Sequence, residues 1–106
     1  MAKDTTDRKV EGYWRTAYAP HLPMPVPDMG WEGRADFLER LVPVEARAHA
    51  QQAKGFSMCR ICEEVNGSVE YSLGGWSWPE GLAHYIRDHG VRPTPEFEAF
   101  ILGGGD

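Results

Sequence analysis

The sequence predicts an α+β fold, and three observations carry that reading. Apolar residues recur at helical spacing from Trp31 to Val42. Further on, Val69, Tyr71 and Leu73 alternate with Ser68, Glu70 and Ser72 between two tight-turn signals, Asn66-Gly67 and Gly74-Gly75, which reads as a small antiparallel meander. Two short apolar stretches nearer the C-terminus are each fenced by proline before and glycine after, the punctuation of short helices.

With 106 residues the chain suits one domain and not two. Residues 1–10 are polar and charged and read as a disordered tail, leaving 11–106 as the domain. "GYWRTAY" then places Tyr13, Trp14 and Tyr18 close together. Prolines 20, 23, 25 and 27 follow in "APHLPMPVPD". Each proline sets its own φ and extends its predecessor, so a polyproline strap is expected, laying Leu22, Met24 and Val26 across the core. The competing use, as a ligand for a proline-binding domain, fits less well because the intervening residues are apolar and not basic.

Two N-terminal helices are expected next. The first runs from an N-cap at Asp28 and presents Trp31, Ala35, Leu38 and Leu41; Pro43 breaks it and opens the second, "PVEARAHAQQAK", which ends at Gly55. His49 reads there as a surface residue. The meander comes after, with Asn66-Gly67 as a type I′ hairpin turn. "SWPE" then reads as a capping box, Ser77 with Glu80, opening a helix over about 78–89. Gly90 closes it in the left-handed form, with Val91 folding back on Ile86. Thr94 as cap and Pro95 at the first position begin a C-terminal helix that buries Phe97, Phe100 and Ile101. Trp31, Trp76 and Trp78 are assigned to the core, since a small domain has few other large residues.

Chemistry concentrates in one spacing: Cys59-x2-Cys62, twenty-one residues, His84-x4-His89. Two cysteines separated by two residues can aim both sulfurs at one ion while the turn offers them N–H groups. Histidines five apart differ by about 140° on an ideal helix, so they converge only if the helix end opens, and Gly90 is placed to allow it. Two thiolates and two imidazoles make a closed tetrahedral set suited to structural Zn2+, and unlike the oxygen sets of magnesium or calcium. Cys59, Cys62, His84 and His89 are therefore the expected metal ligands. A small domain buries only about 60–65% of its unfolded surface, so such a staple has work to do.

This constellation resembles the Cys2His2 zinc fingers, a CxxC turn on strands followed by a helix bearing HxxxxH. The resemblance covers residues 56–91, the expected zinc module. It implies a zinc-bound turn and helix and, by analogy, nucleic-acid binding. The spacer of 21 residues departs from the usual length of about twelve, which leaves room for an extra strand. "GWSWPEGLAHYIRDHGVRP" is also similar to sequence in small bacterial proteins, which implies a bacterial cytosolic setting and carries no activity.

Four functions are weighed. A structural or protein-interaction role follows from a zinc whose four positions are protein-filled. Nucleic-acid binding is disfavoured by the net charge of −5 and by "PEGLA", which brings almost no phosphate-contacting side chain to the helix start. A stripe of Arg34, Arg40, Arg47, Lys54 and Arg60 would revive it. A hydrolase would need one of the four to be a non-ligand, with Glu63, Glu64 or Asp88 as base and His21 as a spare imidazole; no HExxH, GxSxG or phosphate loop is present. A redox CxxC lacks the βαβ context and leaves both histidines unexplained. No apolar run spans a membrane and the start has no signal-type core, so a cytoplasmic setting is expected.

Overall fold

The computed structural model describes residues 9–105; residues 1–8 of the expected tail lie outside them. The described chain is mixed α+β. One four-stranded sheet has the order β1-β4-β3-β2, with β1 at Lys9–Val10, β2 at His49–Met58, β3 at Val65–Leu73 and β4 at Trp76–Pro79. Helices α1 (Arg34–Arg47), α2 (Leu82–His89) and α3 (Pro95–Leu102) complete it.

Strands β2, β3 and β4 pair antiparallel in succession, the meander that the alternation implies, and β1 pairs parallel with β4. Gly74 and Gly75, at φ 59° and 86°, make the β3–β4 turn, a pair of positive angles open to glycine at little cost. Asn66-Gly67 is not a hairpin turn. Both residues lie inside β3, and Gly67 (φ 135°) sits opposite Ser57 where the β2–β3 register shifts. The chain reverses earlier, over residues 59–64. There Cys59 N–H donates to Glu64 O at 2.8 Å and Glu63 N–H to Cys59 O at 2.9 Å, so the CxxC segment is itself the hairpin loop.

The expected second N-terminal helix does not form. α1 runs through Pro43 to Arg47, and residues 49–58 are strand β2. Leu41 and Val44 are both buried on either side of Pro43, and that burial outweighs the lost helix bond. "HAQQAKGFSM" has no amphipathic helical face to bury, so its weak alanine propensity yields to the β3 ladder. The cap differs too. Asp28 Oδ1 accepts the Gly30 N–H in a turn of its own, and Gly33 precedes α1.

Ser77 and Glu80 do not form a capping box. Ser77 is a buried β4 residue, and Glu80 Oε1 accepts the N–H groups of Ser68 and Val69 at 3.0 and 3.2 Å, mending the ladder beside the Gly67 irregularity. α2 consequently starts at Leu82, four residues later than the expected start. Its backbone exit is as read: Gly90 is left-handed (φ 63°), its N–H donates to Ile86 O, and Val91 N–H reaches Tyr85 O; the Val91 side chain, however, is buried with Tyr85 and Cys59, while Ile86 belongs to the main core. α3 begins with extended Thr94 and then Pro95. Buried Glu11 accepts both the Thr94 N–H and its hydroxyl, each at 2.8 Å.

The expected strap begins instead with a turn, Leu22 N–H donating to Ala19 O at 3.2 Å; farther on, Pro27 pairs with Val91 and Asp28 N–H donates to Gly90 O at 2.9 Å. Its apolar side chains do not cross the core as expected. Met24 and Val26 are exposed, and Pro25 is the buried member. The strap is held by its backbone and so needs no apolar face.

The main core is a slab of rings and aliphatics between α1, α2, α3 and the sheet. Trp31, Trp76 and Trp78 are all buried in it, with Phe37, Leu41, Phe97 and Ile101. Trp78 meets Phe97 edge-on at 5.3 Å, and its Nε1–H donates to Glu45 at 3.0 Å. A second, smaller cluster joins Cys59, Tyr85 and Val91, with Trp14 packed against it.

Candidate metal centre

Two elements deliver the four candidate ligands. The hairpin loop carries Cys59 and Cys62. Cys59 is fully buried, and its sulfur lies 3.4 Å from the Ile61 N–H and 3.5 Å from the Cys62 N–H, an arrangement in which both donate to it. α2 carries His84 within the helix and His89 at its last residue. The histidine rings lie 5.1 Å apart, so the end of α2 does bring side chains five residues apart together.

Ligand atoms of Cys59, Cys62, His84 and His89 all lie within 4.8 Å of one another. Cys62 Sγ is 3.4 Å from His84 Nε2. A tetrahedron with zinc bond lengths would place sulfur and nitrogen about 3.6 Å apart, so this edge already has metal-site dimensions. His89 Nε2 is buried without a hydrogen-bond partner. A buried imidazole nitrogen so placed carries a desolvation cost that an ion would remove. The donor chemistry, two sulfurs and two nitrogens, fits a borderline-soft divalent ion.

Groups behind the ligands orient them. Asp88 Oδ2 lies 3.0 Å from His84 Nδ1. That carboxylate selects the tautomer with the proton on Nδ1, which frees the Nε2 lone pair on the side of Cys62. The carboxyl of Asp88 is itself held below its ordinary range, first by the hydrogen bond from Arg87 and then by the positive charge of its neighbours. Tyr85 ties the two elements together: its hydroxyl accepts the Arg60 N–H at 2.7 Å. Burial pushes the Tyr85 phenol up to about 12, against the opposing pull of that N–H. On the Cys62 thiol the Glu64 N–H acts downward, but desolvation and the Cys59 sulfur together prevail and raise it. Two sulfurs this close resist losing both protons unless a cation joins them.

The structure thus brings together the four residues that the sequence singles out. His21 and His49 are exposed and stand outside the cluster. Asp88 had a readable signal, its i+4 spacing from His84. Tyr85 had none, because its partner is 25 residues away in a loop whose closure cannot be read locally. The long spacer is occupied by β3 and β4, which lie between Cys62 and His84. Comparison with protein-family models, curated proteins and solved structures finds no match to this chain. Among the described residues no helix is long and apolar enough to cross a membrane.

Proposed function

We propose that Cys59, Cys62, His84 and His89 hold one Zn2+ as a structural staple, in a protein-interaction or regulatory module that works through its surface and not as an enzyme. The observation that carries the metal is the joint one of four convergent ligand atoms and the unpartnered, buried His89 Nε2. Four protein donors leave no position for a reacting water, which favours a structural over a hydrolytic role.

The surface around the loop supports an interaction role. Phe56, Met58, Ile61 and Val65 are all exposed and all lie at the tip of the β2–β3 hairpin. Scattered apolar residues need no explanation, but four on one tip suit a contact site. The nucleic-acid alternative gains nothing from α2 and its exit. Arg87 is bonded to Asp88, and Arg92 to Glu98 through two nitrogens. Of the expected basic stripe, Arg40 is paired with Asp36, and Arg47 donates to Gly104 O.

Native mass spectrometry of the purified full chain tests the proposal. One zinc per chain is expected, released together with unfolding when a strong chelator is added. A metal-free chain with the same melting temperature as the metal-loaded one would defeat it.

A further inference from the structure

Alongside the metal cluster runs a groove of about 460 Å3, within the size range of small-molecule sites. Five rings line it: Tyr13, Trp14, Tyr18, Phe56 and Tyr85. Among the described residues Arg60 is its single charged lining residue. The Arg60 guanidinium in this wall makes no ion pair among the described residues. Tyr18 and Phe56 are 99% and 75% exposed, large rings covered by nothing in the monomer.

We propose that this groove binds a small planar aromatic carboxylate. Rings on several sides select a flat apolar body that can stack or meet them edge-on. Aromatic faces alone would equally welcome a cation; the unpaired guanidinium decides the sign, since it repels an ammonium and matches a carboxylate as a planar fork. Arg60 is held by main-chain bonds, its N–H on Tyr85 and the loop closed from Cys59 to Glu64. Its side chain is thereby left free for a ligand, and the inference does not depend on which ion the cluster takes.

The test is calorimetry and amide–indole NMR on the metal-loaded full chain with 2-naphthoate, 2-naphthylmethylammonium, cyclohexanecarboxylate, and a glycine peptide ending in phenylalanine. Naphthoate is expected to bind with a Kd of about 10–500 µM, as its size permits, and to shift the Trp14 indole N–H resonance. The ammonium and the saturated acid should bind about tenfold more weakly or less. Arg60→Ala should lose about tenfold in naphthoate affinity while Arg60→Lys retains part of it. Because only the Arg60 main chain is used by the fold, both variants should keep the parent NMR fingerprint. The proposal is overturned if naphthoate does not bind, if the ammonium binds as well, or if Arg60→Ala changes nothing. Tighter binding of the peptide than of naphthoate would also overturn it, making the occupant a protein terminus.

Discussion

Two regions of this small protein are held together by different physics. Around Trp78 and Phe97, nine buried residues from three helices and the sheet, with Trp31 from the segment before α1, pack ring against ring. Around Cys59, only Tyr85 and Val91 join a buried sulfur, with Trp14 against them. The first region is stabilised by the burial of apolar area, which is non-directional and tolerates adjustment. The second buries too little for that, and relies on directional links: N–H to sulfur, carboxylate to imidazole, and four donors facing a common point.

The largest expected effect is on the second region. Structural zinc contributes about 10 kcal/mol or more to folding, against a net domain stability of about 5–15 kcal/mol. The loss should not stay local, because α2 belongs to both regions: Leu82 and Ile86 enter the slab while Tyr85 faces the loop. Chelation, or Cys59→Ala, is therefore expected to remove the cooperative thermal transition seen by circular dichroism. Survival of that transition at the parent temperature would show that the loop is an ornament on a self-sufficient core.

Phe97→Ala strikes the first region. Phe97 is fully buried against Phe37, Trp76, Trp78 and Phe100. Its removal should cost about 3–5 kcal/mol by urea denaturation, with metal stoichiometry unchanged in the chain that remains folded. A cost below about 1 kcal/mol would mean that the slab can collapse into the space, and that its packing is looser than its burial implies.

These two regions also differ in how much the sequence discloses. The convergence of Cys59, Cys62, His84 and His89 was legible because a shared ion would restrict residue type and spacing together, and Gly90 and Thr94-Pro95 because their backbone angles restrict identity. Helix-to-strand decisions were not. "HAQQAKGFSM" becomes β2 because β3 offers a ladder, a partner that no local pattern announces. Asn66-Gly67 carries a hairpin signal, yet the chain has already turned at the CxxC loop, so the same dipeptide serves an irregularity in β3. Glu80 has the spacing of a capping residue and spends its carboxylate across the sheet instead. Each miss is a local preference overruled by a contact distant in sequence.

Asp88→Asn sharpens the comparison at the level of one orienting group. The amide can still meet His84 Nδ1 but no longer stabilises the proton there as a carboxylate does. Metal affinity should fall about 10–100-fold, read by competition with a chromophoric chelator, while the aromatic near-ultraviolet signal of the loaded protein stays as in the parent. An unchanged affinity would assign Asp88 to its pairing with Arg87 alone.

The smallest effect, Glu45→Gln, asks whether the ring slab carries an electrostatic debt. Burial raises the Glu45 carboxyl from its ordinary value to about 7, against the lowering hydrogen bond from Trp78, and Glu80 adds repulsion. Between the unfolded value, about 4.5, and 7, the folded state holds more protons than the unfolded one, so this group's contribution makes stability fall as pH rises. Below that window the carboxyl is neutral in both states and the penalty vanishes. Above it the penalty is complete, at roughly 1–3 kcal/mol after allowing for partial solvent access. Zinc bound at the cluster would act in the opposite direction, since binding releases protons. That term is common to parent and variant and cancels in their difference. Glutamine can still accept the Trp78 N–H, so the variant should gain on the parent from pH 5 to about pH 7 and level off above, in denaturation midpoints at saturating zinc. A difference that does not vary with pH would mean that Glu45 titrates at its ordinary value, and that water reaches the slab from the α1 side.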